Sequence, residues 1–432
     1  MRIGFFSDFY LPRADGIAFS IESFRTELES MGHEVFVITP RPNLRFKEPS
    51  KRIIRFPAVK GLFFDDYMTS IFFPPQAERK LEKLKLDIIH YHTPGQLGLL
   101  GAFFALRHDI PLVTTYHTDL FEYVKHYPAV LPGTIALSML VPAITGGGMD
   151  EFRSGLSSIK PELSVDKWNQ KIVARSVTMI HNHCDVVISP SKKIEQQLKS
   201  WKTKSKLVIL PTGVDKITTT DKEIAKRRRQ YGIKTDDHVV LFVGRMGTEK
   251  NVGLLISSFD IIAQRDEHAK LMLVGIGEDI DDFVQQGASS PYADRIIFTG
   301  FIDHLNLGAI YALGTVFAFP SMTDTQGLVL NEAARAGLPI VMIDRDVTEV
   351  VRNGKNGFYA RNSARGLGNQ ILEVLGDPVR RQRMGQQSIK LADAYGVHSQ
   401  SERLIALYEE TVKNHKPRPR QRIPLLGIKN PF

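Results

Sequence analysis

Short apolar runs recur along almost the whole chain, separated by segments with helical spacing. Ile3–Phe6 is the first run and predicts a strand. A loop around Pro12–Gly16 follows, then a helix over Ser20–Met31 that Gly32 ends, then a strand over Val35–Ile38. Ile88–His92, Leu112–Tyr116 and Val186–Ser189 continue the series. Runs that are apolar throughout belong to strands covered on both faces, and strands separated by helices pair in parallel. The pattern predicts an α/β fold with helices on both sides of a parallel sheet.

The rhythm restarts at Val239–Val243 and continues through Leu271–Val274, Ile296–Thr299, Val316–Pro320 and Ile340–Ile343. Helices over Val252–Ala263 and Leu330–Ala336 lie between these runs. Two doubly wound, Rossmann-like domains are the simplest arrangement. Ligands of such sheets bind beyond the carboxyl ends of the strands, so a cleft between two facing domains is the expected site. The division falls between Ser189 and Asp237, a region that holds a polar helix over Lys192–Trp201, the turn Pro211-Thr212-Gly213 and the basic run Lys226–Arg229. It is placed after residue 205, giving domains over 1–205 and 206–395. A last amphipathic helix within 396–412 carries Leu404, Leu407 and Tyr408 on one face. The tail over 413–432 has Lys416, Arg418, Arg420, Arg422, Lys429 and four prolines, and reads as basic and disordered.

Composition narrows the class. The 432 residues are 43% hydrophobic and 24% charged, which suits a globular chain with ample core. The single cysteine, Cys184, excludes an internal disulfide and a multi-cysteine metal site, and points to a reducing compartment. No secretory signal is expected, because Met1-Arg2 leads at once into a short apolar run and Asp8. Tyr127–Met149 carries no charge, but Pro128, Pro132, Pro142 and Gly146–Gly148 interrupt it as a spanning helix. The net charge of +9 suggests an anionic partner. Nucleic acid is disfavoured, since no aromatic-interleaved platform accompanies Arg227–Arg229 or the tail.

Two motifs carry candidate chemistry. Val243-Gly244-Arg245-Met246-Gly247-Thr248-Glu249-Lys250-Asn251 starts at a strand end and leads into a helix. Gly244 lets the chain turn, and Arg245 and Lys250 supply two cations suited to a diphosphate. The second motif runs from Pro320 to Ala334, where a strand ends and a helix begins near Gly327. A helix N-terminus offers free N–H groups to an anion. Asp324 and Glu332 stand eight positions apart there, and carboxylates accept hydrogen bonds from sugar hydroxyls.

Together, on this double α/β pattern, the motifs resemble the retaining glycosyltransferases of family 4, which adopt the GT-B fold. The hallmark of that family is a Glu, seven residues and a second Glu; here the first member is Asp324, one methylene shorter, and the second is Glu332. Ser321–Leu328 resembles the Ser-x-Thr-Glu-Thr-Gln-Gly-Leu version found in the branch that glycosylates diacylglycerol and related lipids. The likeness covers residues 1–412, and implies that the last helix returns to the first domain.

The resemblance implies roles by position. Arg245 and Lys250, with Gly244, would bind the donor diphosphate and its leaving-group charge. Glu332 would hold the ribose, and Asp324, with Thr325, Gln326, Gly327 and Leu328, the sugar. Gly277, in Gly275-Ile276-Gly277-Glu278, matches a loop near the nucleotide. Gly16 is the retained glycine of the first β-α loop, where phosphates approach the backbone. His117, in Thr115-Tyr116-His117-Thr118-Asp119, would position the reacting sugar, while Tyr116, His90 and His92 would lie on the acceptor side. No metal and no cofactor are expected. The reaction would be a front-face displacement in which the leaving phosphate helps deprotonate the acceptor.

The activity so implied is transfer of a hexose, with glucose favoured, from a UDP-sugar to a membrane lipid such as diacylglycerol. A GDP-mannose-dependent mannosyltransferase acting on a phosphoinositide lipid or a glycan, a nucleotide-sugar epimerase and a non-catalytic sugar-nucleotide binder remain alternatives. The enzyme would be cytoplasmic and peripheral on the inner membrane face. Phe63-Phe64, Phe72-Phe73, Tyr127–Met149 and the cations Lys51, Arg52, Arg55 and Lys60 are the expected docking elements on an anionic membrane.

Overall fold

A computed structural model of the chain describes residues 1–13, 15–43, 45–60, 68–70, 74–122, 153, 157 and 164–418. It divides into two compact units, Met1–Gly213 with Gln400–Phe432, and Val214–Ser399.

The first unit holds β1 (Arg2–Phe6), β2 (Glu34–Pro40), β3 (Ile53–Phe56), β4 (Ala58–Lys60), β5 (Met68–Ser70), β6 (Ile88–Tyr91), β7 (Leu112–Thr115), β8 (Val186–Ser189) and β9 (Lys206–Ile209). Among the described residues, seven of these form one sheet in the order β3-β2-β1-β6-β7-β8-β9, and β4 pairs with β5 apart from it. The pairs of the large sheet are parallel. Both faces are covered, as the unbroken apolar runs require. Ile3 and Phe5 of β1 pack into one cluster, and the intervening register sends Phe6 into another with Tyr91 and Leu97. Strand order runs outward from β1 in both directions, so the topological switch lies between β1 and β6.

Three boundaries differ from the sequence reading. The first helix spans Gly16–Ser30 and starts earlier than Ser20, because Asp15 caps it and accepts a bond from the Ala18 N–H at 2.8 Å. The domain division lies after Gly213, not after 205, because β9 extends the first sheet by pairing with β8. Its apolar run, Leu207–Leu210, is as long as those of β6 to β8, but it lies in the stretch read as the connection between domains. The last helix spans Val397–Asn414, and its Leu404, Ile405, Leu407 and Tyr408 join the cluster around Ile3 and Phe5. Beyond it, His415 and Arg418 bond to Asp185, at 3.1 and 2.6 Å, so this part of the tail is held against the unit. Arg420, Arg422 and Lys429 lie outside the described residues, as do Phe63-Phe64, Phe72-Phe73 and Tyr127–Met149. Arg55 is not a docking cation: it is buried, paired with Glu48 and bonded to the carbonyls of Pro40 and Leu11.

The second unit holds β10 (His238–Val243), β11 (Ala269–Val274), β12 (Ile296–Phe298), β13 (Val316–Phe319), β14 (Ile340–Met342) and β15 (Gly357–Tyr359). Their order is β12-β11-β10-β13-β14-β15, all parallel, with the switch between β10 and β13. Val240 and Phe242 of β10 face the helices Val252–Ala263 and Ala364–Leu375. Val239, Leu241 and Val243 face the other side, with Leu330, Ala333 and Ala334 of the helix Leu328–Arg335.

Leu404 is fully buried where the last helix meets the first sheet. Leu404→Ala is expected to destabilise the first unit by about 2–5 kcal/mol. Trp168 and Trp201, the chain's only tryptophans, both lie in that unit, so tryptophan fluorescence in a urea titration reads it selectively. An unshifted fluorescence midpoint would mean that the helix adds nothing to the first core.

Candidate active site

In an open parallel sheet the switch point leaves a crevice at the strands' carboxyl ends, because the loops on either side run to opposite faces. In the second unit the two loops that flank this point follow β10 and β13. They carry both motifs singled out above.

Glycines let the loops pack. A Cβ on Gly275 (φ +137) would lie 1.9 Å from the Gly244 carbonyl oxygen, and one on Gly277 would lie 2.3 Å from that of Met246. Gly277 therefore has a backbone reason to be glycine, since the loop after β11 presses against the loop after β10. Asn251 adopts a left-handed conformation and donates to the Pro320 carbonyl at 3.2 Å. Thr323 donates to the Glu249 carbonyl at 3.1 Å. The loops after β10 and β13 are thus tied together from both sides.

The charges are paired within this crevice. Lys250 Nζ lies 2.7 Å from Asp324 Oδ1, with both side chains about four-fifths buried. Arg245 pairs with Glu249, whose carboxylate is buried. Each expected diphosphate cation therefore has its own carboxylate, and the four groups together are neutral. Thr325, Gln326 and Gly327 complete the loop; Gly327 (φ +67) starts the helix that begins at Leu328. Glu332 is one turn further along, buried, and holds two donors: Tyr311 O–H at 2.6 Å and His304 Nε2 at 3.2 Å. Its bond to Glu332 raises the pKa of His304 above the ordinary imidazole value. Tyr311 is buried, which keeps its hydroxyl protonated.

The first unit brings three imidazoles together at the carboxyl ends of β6 and β7. His90 and His92 stack with ring centroids 4.0 Å apart, and His92 and His117 follow at 5.2 Å. His92 Nδ1 and His117 Nε2 share a hydrogen bond at 3.0 Å. Burial holds the pKa of His90 and His92 well below the ordinary value and pushes that of His117 down to about 3, so the stack is neutral. His90 is buried, and both its nitrogens are taken, by Tyr408 Oη and by Thr115 Oγ1. The Tyr116 hydroxyl is also buried and accepts the Leu120 N–H at 3.0 Å. All three expected acceptor-side residues, His90, His92 and Tyr116, are internal; His117 is the partly exposed member of the group. Gly16 sits at the exposed first position of its helix, on the loop after β1.

Sequence reasoning missed Tyr311 and His304. They precede Glu332 by 21 and 28 positions, on a separate turn, and no local spacing announces the contact. Glu249 was within the first motif, and its i,i+4 relation to Arg245 was the available signal.

Comparison with known proteins agrees with this architecture. A sucrose-phosphate synthase from Thermosynechococcus elongatus superposes with a TM-score of 0.68 at 19% identity, covering 94% of this chain and 98% of that one. Anabaena HepE, solved in complex with UDP and glucose, gives a TM-score of 0.68 at 17% identity, covering 95% and 100%. The fold is that of the GT-B glycosyltransferases, two Rossmann-like domains with parallel sheets. The Glycosyltransferase Family 4 description matches residues 14–216, and Glycosyl transferases group 1 matches residues 223–391. An alpha-monoglucosyldiacylglycerol synthase of Acholeplasma laidlawii is 29% identical over 375 residues, 83% of this chain and 84% of that protein. The enzyme of the same name from Streptococcus pneumoniae is 30% identical over 346 residues, 79% of this chain and 70% of that one. The chain belongs to glycosyltransferase family 4 and is a hexosyltransferase.

Two outcomes test the Glu332 clamp. Tyr311→Phe removes one donor from a buried carboxylate and is expected to destabilise the second unit by about 1–3 kcal/mol, read by calorimetry. The raised pKa of His304 stabilises the folded state fully below the ordinary imidazole value, and this contribution is lost as pH rises through the folded value. His304→Gln is expected to flatten the pH dependence of second-unit melting across that window. A profile identical to wild type would remove His304 from the clamp.

Proposed function

We propose that the protein transfers glucose from UDP-glucose to diacylglycerol or a related membrane lipid, with retention of anomeric configuration. The observation that carries the reading is that Arg245, Lys250 and Asp324 sit on the two loops flanking the β10/β13 switch point, with Glu332 in the helix that the second loop leads into. The named activity of the two relatives supports the lipid acceptor, and UDP with glucose in the HepE complex supports the donor.

In this reading the donor diphosphate takes Lys250 from Asp324 and Arg245 from Glu249. The released Asp324 then accepts from sugar hydroxyls, with the backbone from Thr325 to Leu328 around it. Glu332 takes the ribose hydroxyls; a carboxylate has about four lone-pair sites, so two donors leave capacity for more. The first unit takes the acceptor, with His117 as its reacting-side group. The acceptor oxygen bonds to the anomeric carbon as the bond from that carbon to the phosphate oxygen breaks. The acceptor proton passes to the leaving phosphate, and UDP departs. Negative charge grows on that phosphate, so Lys250, Arg245 and the helix N-terminus at Leu328 stabilise the transition state.

A lipid acceptor stays in its bilayer, so the enzyme meets it there. Among the described residues no helix is long and apolar enough to cross a membrane. The net charge of +9 favours an anionic surface, and we place the enzyme peripherally on the cytoplasmic face.

The test is a panel of UDP- and GDP-sugars with diacylglycerol in mixed anionic micelles, and a control without lipid. Lipid-dependent transfer from UDP-glucose is the expected result; nucleotide release that ignores lipid would contradict the acceptor. Within that assay Lys250→Ala is expected to lower kcat by about 100- to 1000-fold. Wild-type turnover in this variant would sink the donor assignment.

A further inference from the structure

A small cavity in the first unit is lined by His92, Tyr116, His117, Val177, Ile180 and His181, among others. It has room for about one water-sized group. Two of its lining side chains are buried imidazoles, 2% and 5% exposed, each with a ring nitrogen that has no hydrogen-bond partner among the described residues. These atoms are His92 Nε2 and His181 Nδ1. The rings themselves are fixed. His92 is held by His117 through its other nitrogen and by stacking on His90. His181 packs edge-on against Tyr116 at 5.6 Å.

Burial keeps both imidazoles neutral: that of His92 lies well below the ordinary value, and that of His181 is pushed down to about 3. A neutral imidazole nitrogen either accepts or donates, according to the tautomer. Buried polar atoms of this kind are rarely left without a partner. The apolar side chains of Val177 and Ile180 supply none. The matching group is small and uncharged, with an O–H that both donates and accepts. An anion or a cation would find no opposite charge among the six residues named.

We propose that this cavity is a binding site for one hydroxyl oxygen, held between His92 Nε2 and His181 Nδ1 beside His117. The oxygen comes from a resident water or from an alcohol group of the acceptor; the alcohol oxygen accepts from both ring N–H groups, so its own proton stays available to the leaving phosphate. The second source rests on the transfer reading above, whereas the site itself does not.

The test combines high-resolution crystal structures, with and without a short-chain diacylglycerol, and steady-state kinetics of two variants. His181→Asn keeps a polar group near the position of Nδ1, and His181→Leu does not. Density for a single oxygen within hydrogen-bond distance of both nitrogens is expected in the wild type and in His181→Asn, and is expected to be lost in His181→Leu. If the acceptor supplies the oxygen, the density follows the lipid. The KM for lipid then rises about five- to tenfold in His181→Leu, with the KM for the donor unchanged, and His181→Asn restores it. If water supplies it, the density is present without lipid and neither KM follows the variant. A wild-type cavity without density overturns the proposal, even if transfer is fully active. Density with no transfer activity leaves the site standing and overturns only the acceptor source.

Discussion

The Lys250–Asp324 ion pair spans the switch point of the second sheet and joins the two loops that carry the candidate diphosphate and sugar contacts. Its side chains are about four-fifths buried, so both ions have lost much of their hydration. A pair in this setting gains little net stability, because desolvation offsets most of the Coulomb attraction. Its worth is geometric. It sets the separation of the loops, together with the bonds from Asn251 to Pro320 and from Thr323 to Glu249. In the proposed reaction it also leaves Lys250 paired before the donor enters, and the diphosphate exchanges one anionic partner of Lys250 for another. Binding then depends on which anion holds the lysine, not on creating a buried cation.

The same economy governs the other buried polar groups. Glu332 is kept by Tyr311 and His304, both from the segment that precedes β13. In the first unit, a neutral imidazole stack runs from His90 to His117, and its inner end is bonded to Tyr408 of the last helix. That helix therefore contributes more than apolar packing. Its Leu404 and Leu407 close the core over β1, while its tyrosine fixes the ring at the base of the stack.

The fold was legible because its strands are buried on both faces. An unbroken run such as Val239–Val243 can satisfy that environment, and Gly244 at its end marks the turn into the crevice. The motif loops were legible for the same reason, since a switch point puts chemistry at strand ends. What stayed hidden was set by distance along the chain. The bond from His90 to Tyr408 crosses 318 positions, so a histidine read as facing the acceptor is in fact a core link. Tyr311 reaches Glu332 from a separate turn, and the apolar run of β9 says nothing of which sheet it joins; its pairing with β8 does. Arg55 looked like a surface cation because the buried Glu48 pairing that neutralises it requires the folded loop.

The most direct measurement is a crystal structure of the enzyme soaked with UDP-glucose. The diphosphate is expected between the loops after β10 and β13, with Lys250 turned from Asp324 onto a phosphate oxygen and Asp324 on the sugar. Nucleotide bound away from these loops, with the Lys250–Asp324 pair intact, would contradict this placement.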